Sequence, residues 1–244
     1  MTQRCWILVR GFTRGQGHWG DFLDLFAERY PDDEVQCLDL AGNGERYREM
    51  SFSNIRLSAL DLRKRSRWLD TGTKIHLFGH SLGAMTVVEW MRLFPQDLNT
   101  VYLMNTSDQK SGLPWDRFQV HNLKLVKEIA QTRDPLERER LILGMIANNQ
   151  ERIEKFLPEM AKYSAAHPVS LLNTGLQLAA AARSRFPEQP SVPVRIIASR
   201  GDRLASVENS IQIARQWGVT PQIHDWAGHD IAIDDPQWLL DQLK

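Results

Sequence analysis

Cysteine is scarce in this chain. Only Cys5 and Cys37 occur, and each lies inside a short apolar run. Two cysteines do not build a disulfide framework, and no spacing of Cys and His resembles a zinc site. We therefore predict two reduced, buried thiols and no bound metal.

An excess of charge of either sign is also missing. Lys+Arg and Asp+Glu both number 30 in 244 residues, so the formal net charge is zero. This balance gives no reason to expect binding to nucleic acid or to an anionic membrane. No apolar run approaches the roughly 20 residues of a membrane span, and the first residues do not resemble a signal peptide. We expect a cytoplasmic protein with no nucleic-acid or membrane partner.

Short apolar runs alternate with helical patterns along most of the chain. Six such runs are predicted strands: Cys5–Val9, Glu34–Leu40, Lys74–Phe78, Val101–Met104, Val194–Ala198 and Thr220–His224. Strands that alternate with helices predict an α/β protein with a parallel sheet covered by helices on both faces. Hydrophobic residues make up 42% of the chain, which is sufficient for such a core.

Residues 108–190 break this alternation because they contain no convincing strand. Helical patterns occur instead at 135–148, 151–163 and 168–182. We predict a helical cap at 108–190, inserted after the fourth strand, and a core domain made of residues 1–107 and 191–244. Apolar residues of the cap, such as Ile146, Phe156, Leu171 and Leu172, are expected either to line a substrate pocket or to pack inside the cap.

The pentapeptide Gly79-His80-Ser81-Leu82-Gly83 lies between a predicted strand and an apolar helical pattern. A Gly-x-Ser-x-Gly turn in this context predicts a nucleophile elbow, in which a strained serine is lifted above the strand ends. The flanking glycines allow the strand and the helix to approach closely. Ser81 is therefore the candidate nucleophile.

A base for this serine should lie in a loop after the last strand, since the order along such chains is serine, acid, histidine. Only His224 and His229 come late enough. His224 falls inside the predicted sixth strand, whereas His229 follows Gly228, which permits a bend. His229 is therefore the predicted base.

The acid should follow a strand and precede the base. Asp202 comes directly after the fifth strand, where its carboxylate can accept a hydrogen bond from the imidazole and select the reactive tautomer. Asp108 follows the fourth strand and is the alternative that the sequence leaves open.

Two backbone N–H groups are predicted to form an oxyanion hole. Leu82 begins the helix after the elbow, where unpaired N–H groups favour a developing negative charge. Arg10-Gly11-Phe12 follows the first strand, and the Phe12 N–H is the second predicted donor. His18 and Trp19 come soon after and are candidates to line the pocket, although Trp19 is expected mainly to pack the helix on the sheet.

These segments resemble the α/β-hydrolase superfamily, and the likeness runs from the first strand to the final helix. The motifs that carry it are Arg10-Gly11-Phe12, Asp39 to Gly44, the elbow, Gly201-Asp202 and Gly228-His229-Asp230. Among the branches of the superfamily, the chain is most similar to small capped bacterial carboxylesterases, including the methyl esterase of biotin synthesis. It departs from many relatives at Arg10, where they have histidine, and at Ala41, where they have proline.

The resemblance implies an α/β-hydrolase fold with about six mostly parallel strands and a helical cap. It also implies hydrolysis of a small carboxylic ester or thioester through an acyl-Ser81 intermediate, with no cofactor. Two alternatives stay open: a C–C bond hydrolase or lyase that uses the same three residues, and a non-catalytic binding protein. Arginines of the cap raise an acyl carrier as a partner, but Asp and Glu residues interleave with them.

Overall fold

The structure is a computed structural model that describes residues 3–112, 114–119 and 121–243. Six parallel strands form one sheet in the order β2-β1-β3-β4-β5-β6. The strands are β1 (Cys5–Val9), β2 (Glu34–Cys37), β3 (Ile75–His80), β4 (Leu98–Met104), β5 (Val194–Ser199) and β6 (Gln222–His224). The predicted α/β-hydrolase fold with a parallel sheet is therefore confirmed.

Strand boundaries differ from the prediction at two places that matter for the site. β3 continues through Gly79 and His80, so the strand leads directly into Ser81. β2 ends at Cys37 rather than Leu40, and the chain then turns where the Asp39 carboxylate accepts N–H bonds from Gln16 and Glu45. Cys5 is buried as predicted, but Cys37 is only partly buried; both thiols are free.

Helices cover both faces of the sheet because successive strand residues point to opposite sides. Ile7 and Val9 belong to the apolar cluster under α2 (Ile55–Arg65), α3 (Leu82–Leu93) and α9 (Val207–Trp217). Trp6 and Leu8 belong to the opposite cluster, under α1 (Phe22–Arg29) and α11 (Pro236–Gln242). The short helix α10 (Ile231–Asp234) follows β6.

Among the described residues between β4 and β5, the structure has five helices: α4 (Pro114–Arg117), α5 (Asn122–Gln131), α6 (Pro135–Ile146), α7 (Gln150–Ala166) and α8 (Leu171–Ala182). Helices α4 and α5 were not among the predicted helices. Helix α8 begins later than predicted, since Ser170 caps the helix by accepting the Asn173 N–H. Residues 108–190 are called the insertion below.

Apolar residues of α6 and α7 pack together as one cluster that includes Ile146 and Phe156. Leu171 and Leu172 of α8 were expected to line a substrate pocket or to pack inside the cap, but both side chains are exposed. In the part of the chain that the structure describes, no helix has the length and apolarity needed to cross a bilayer.

Candidate active site

Ser81 occupies the sharp turn between β3 and α3. Its backbone has φ 55° and ψ −117°, a left-handed conformation that is strained for a residue with a side chain. The surrounding chain holds this geometry: the Ser81 N–H donates to the Met104 carbonyl at 2.9 Å, and its carbonyl accepts from the Thr106 hydroxyl at 3.1 Å. The elbow is thus tied to the carboxyl end of the neighbouring strand β4.

Close backbone approaches bring the loop after β1 to this elbow. A β-carbon on Gly83 would collide with the carbonyl oxygens of Val9 and Arg10, so only glycine fits there. At Gly11 a β-carbon would lie 2.9 Å from the Ser81 β-carbon. The loop that starts at Arg10 therefore lies against the serine, as the prediction of Phe12 and Leu82 as oxyanion donors requires. The N–H of Leu82, at the start of α3, has no acceptor within its own helix.

The structure brings Asp202 and His229 together. Nδ1 of His229 donates to Oδ2 of Asp202 at 2.7 Å, and both side chains are buried. The other Asp202 oxygen accepts the N–H groups of Leu204 and Ala205 at 2.8 and 2.9 Å. Because Nδ1 carries the proton in this bond, the neutral imidazole keeps a lone pair on Nε2, as a general base requires.

The rival acid and the rival base are engaged elsewhere. Asp108 accepts the N–H of Ser111 at 2.8 Å through one oxygen and that of Phe186 at 3.0 Å through the other. His224 lies in β6, as predicted, and its Nε2 contacts Asp235 at 3.2 Å. The geometry therefore favours Asp202 and His229 as the acid and the base.

Two further side chains hold His229, and the sequence analysis assigned a role to neither. The His229 carbonyl accepts from Nε2–H of His80 at 2.9 Å and from the Asn105 amide at 2.8 Å. Asn105 has φ 45°, which asparagine tolerates better than most residues, and its oxygen accepts the Ser199 N–H. Burial, together with the nearby His229, lowers the pKa of His80 well below its usual value, so this ring is neutral. The only feature of the sequence that could have indicated a role for Asn105 in the site is its position directly after β4.

A buried ion pair joins the first loop to the base loop. Arg10 binds Asp230 through two hydrogen bonds, and both side chains are almost completely buried. The Arg10 guanidinium also stacks over the ring of Trp19, at 4.6 Å from its centroid. Burial alone would raise the pKa of Asp230, but the Arg10 charge outweighs burial and lowers this pKa to about 2. Arg10, which stands where many relatives have histidine, is thus the partner of Asp230, the residue that follows His229.

The remainder of the first loop is held by the insertion. Arg14 forms a buried ion pair with Glu139 of α6 at 2.7 Å. Gln177 of α8 accepts the Thr13 N–H at 3.0 Å, and His18 contacts the Ser164 hydroxyl of α7 at 2.9 Å. Burial lowers the pKa of His18 well below its usual value, with Arg14 adding to the effect. Trp19 packs in the core, as expected.

Within the described residues, no group of three or more His, Cys, Asp or Glu side chains is arranged to hold a metal ion. Asp202, His80 and Asn105 instead bind His229 in short chains of hydrogen bonds that orient one another. The site thus combines a serine at the elbow with a histidine of defined tautomer and a helix start at Leu82.

A family model described as "Alpha/beta hydrolase family" matches residues 6–242. No curated protein sequence matches the chain significantly. Among solved structures, the chain is similar to a thermophilic esterase from Thermogutta terrifontis, with 18% identity, a TM-score of 0.69 and coverage of 99% of this chain and 88% of that one.

Two Rhodococcus enzymes have similar structures. An esterase from Rhodococcus sp. ECU1013 matches with 14% identity and a TM-score of 0.73, over 99% of this chain and 89% of that one. The 2-hydroxy-6-oxo-6-phenylhexa-2,4-dienoate hydrolase from Rhodococcus sp. strain RHA1 matches with 16% identity, a TM-score of 0.73 and the same coverage. At these identities the similarity establishes the fold.

Proposed function

Because the chain belongs to the α/β-hydrolase family, we propose that it hydrolyses a small carboxylic ester or thioester through an acyl-Ser81 intermediate. One observation carries the proposal: the buried 2.7 Å bond between His229 and Asp202, in a chain whose elbow residue is serine. Esterases among the structural neighbours support the choice of substrate class.

Acylation is the first half of the proposed reaction. Nε2 of His229 removes the Ser81 proton as the hydroxyl oxygen attacks the acyl carbon, and the carbonyl electrons move onto oxygen. The N–H groups of Leu82 and Phe12 stabilise that oxyanion. When the intermediate collapses, the bond to the leaving group breaks and His229 returns the proton to the departing alcohol or thiol.

Water completes the cycle by the same route. His229 takes a proton from water, the resulting oxygen nucleophile attacks the acyl-Ser81 carbonyl, and collapse releases the acid with Ser81 reprotonated. Asp202 keeps its charge and stabilises the imidazolium in both halves. Bonds from His80 and Asn105 to the His229 carbonyl position this residue without taking part in proton transfer.

Little supports the acyl carrier as a partner at the basic residues of the predicted cap. Arg140 pairs with Glu154 and Glu137, and Arg138 binds the carbonyl of Thr132. Because Arg140 is paired with acids and Arg138 is engaged within the insertion, the proposal is limited to a small-molecule substrate.

Active-site labelling with a fluorophosphonate, followed by turnover of p-nitrophenyl esters of increasing acyl length, tests the proposal. We expect label on Ser81 and release of p-nitrophenol. Label without ester turnover would reject the ester and leave the C–C bond hydrolase. Absence of both label and turnover would reject a serine hydrolase in favour of a binding protein.

A further inference from the structure

Helix α8 has an inverted distribution of polarity. Its side chains Asn173 and Gln177 are buried, whereas Leu171, Leu172 and Leu178 are 85%, 62% and 54% exposed. A surface helix of a globular protein normally presents apolar residues to the core and polar residues to water. The buried amides are fully used, because Asn173 binds Ser51 and Glu49 while Gln177 binds Thr13 and Asn43.

The apolar surface extends beyond the helix. Residues 168–182 contain no Asp, Glu, Lys or Arg, so no charge interrupts the outer side of α8. Met50, between the two residues whose backbone binds Asn173, is 69% exposed and adds to the same surface. We name Met50, Leu171, Leu172 and Leu178 the leucine face. Contiguous apolar groups in water mark an interaction site more often than single exposed leucines do.

Arginines surround a groove at the end of α8. The groove has a volume of about 440 Å³ and lies between the last turn of α8, the start of α2 and the outer side of α3. Its charged lining consists of one acid, Glu89, and four arginines: Arg56, Arg92, Arg183 and Arg185.

Few of these positive charges are neutralised by the protein. Glu89 accepts two hydrogen bonds from Arg92, and Arg185 binds only the neutral amide of Gln109. Among the residues that the structure describes, the guanidinium groups of Arg56 and Arg183 have no hydrogen-bond or ion-pair partner. We name the four arginines the arginine groove. It can receive negatively charged groups without breaking existing pairs.

We propose that the leucine face and the arginine groove together form a docking surface for an anionic lipid bilayer. Exposed leucines beside unpaired arginines match a membrane interface, where acyl chains lie below phosphate headgroups. A second copy packed on the leucine face would bury the leucines but supply no anion to the unpaired arginines, whereas headgroup phosphates would pair with them.

This surface departs from the sequence-based expectation of no membrane partner. The formal net charge of zero concealed a local cluster of positive charge, because the four arginines come from three separate segments. The proposal concerns docking on a surface and does not depend on the proposed catalytic activity.

Sedimentation with sucrose-loaded vesicles tests the proposal, with phosphatidylcholine alone compared with an equal mixture of phosphatidylcholine and phosphatidylglycerol. We expect wild type and Ser81→Ala to bind the mixed vesicles equally and the neutral vesicles much less. Binding should weaken between about 0.1 and 0.5 M NaCl because salt screens the headgroup attraction.

Paired variants separate the two parts of the surface. Arg56→Gln with Arg183→Gln should lower the partition coefficient on mixed vesicles about 30-fold. Leu171→Gln with Leu172→Gln should lower binding to both vesicle types. Matched controls are Arg29→Gln, on α1 across the sheet, and Leu123→Gln on α5, whose side chain is 60% exposed.

Failure of wild type to bind mixed vesicles, or equal loss in the controls, would overturn the proposal. Size-exclusion chromatography adds a second readout: a dimer that Leu171→Gln with Leu172→Gln dissociates would assign the leucine face to a second copy instead. Far-UV circular dichroism and the urea midpoint should stay close to wild type in all four arginine and leucine variants, which establishes that they fold.

Discussion

His229 and the loop that follows β1 are both required next to Ser81, but different parts of the chain hold them. His229 is bound by Asp202, His80 and Asn105, all from loops or strands of the α/β core. The loop at Arg10 to His18 is bound by Glu139, Ser164 and Gln177 of the insertion in addition to Asp39 and Asn43 of the core. The ion pair of Arg10 with Asp230 is the direct link between the two regions.

This difference separates two catalytic tasks. In the proposed reaction, proton transfer depends on side chains that the core positions, so it should tolerate changes at the insertion residues that hold the first loop. Oxyanion stabilisation would depend on backbone N–H groups whose loop is held in part by helices α6, α7 and α8, so it should be more sensitive to those changes. Substitutions on each side, and at the link, can test whether the two regions act separately.

The largest effect is expected at the three core residues. Ser81→Ala and His229→Ala should each lower kcat by about 10⁴-fold or more, and Asp202→Asn somewhat less, because each removes a participant in proton transfer. Steady-state hydrolysis of a p-nitrophenyl ester measures the loss. Asp108→Asn is the matched control and should keep kcat within a few-fold; if it abolishes turnover while Asp202→Asn does not, the acid is Asp108.

The link between the two regions should dominate stability. Arg10→Met leaves the buried Asp230 charge unpaired and should lower the free energy of unfolding by about 3–5 kcal/mol. The double variant Arg10→Met with Asp230→Asn carries no buried charge and should recover part of that loss. Urea denaturation followed by tryptophan fluorescence measures both, and equal stability of the single and double variants would contradict the pairing.

The same pair predicts a dependence of stability on pH. The folded pKa of Asp230, about 2, is below its ordinary value near 4, so ionised Asp230 stabilises the native state above pH 4. This contribution, about 2 kcal/mol, should be lost as the pH falls from 4 towards 2. Asp230→Asn should lack that component of the acid dependence; an unchanged slope would show that other carboxyls account for it.

A smaller effect on activity is expected from the insertion. Gln177→Leu removes the acceptor of the Thr13 N–H and the donor to Asn43, so the first loop should shift. We expect kcat to fall about tenfold with the pH profile of kcat unchanged, since His229 and Asp202 are not affected.

Asn173→Leu is the control for this variant. Asn173 lies one turn away on the same helix and is equally buried, but it binds Glu49 and Ser51 rather than the first loop. Its replacement should lower stability with little change in kcat. Equal losses of kcat in the two variants would mean that α8 acts only by stabilising the fold.

The smallest effect is expected at a glycine within the insertion. Gly144 lies in α6, and an added β-carbon would meet no atom within 4 Å. Gly144→Ala should therefore raise the free energy of unfolding by about 0.5–1 kcal/mol through helix propensity. Thermal unfolding measures this gain, and in the same assay Gly83→Ala, at the elbow, should be strongly destabilising. A loss of stability in Gly144→Ala would contradict the described packing of α6.

Much of the site was predictable because its signals are local in sequence. The elbow is a turn between two apolar segments, and His229 was preferred because Gly228 allows a bend outside β6. The choice between Asp202 and Asp108 could not be made from the sequence, since both follow strands. The contact of Asp202 with His229 favours Asp202, whereas Asp108 is occupied by the Phe186 N–H from 78 residues away.

Contacts between distant segments were not predictable. Arg10 and Asp230 are separated by 220 residues, and nothing in either segment indicates the other. The outward orientation of Leu171 and Leu172 was missed for a different reason. In a helix that is apolar on most sides, periodicity does not indicate which side is buried. The side of α8 that is buried is set by Asn173 and Gln177, because their amides find hydrogen-bond partners on the core side.

The sequence by itself determined the six strands and their order along the chain, the elbow at Ser81 and the candidates for base and acid. These depend on periodicity, glycine conformation and chain order, which act over a few residues. The tertiary structure alone decided which acid meets His229, what neutralises Arg10 and which side of α8 faces water. Those outcomes depend on where buried polar groups find partners, and the partners come from parts of the chain that meet only after folding.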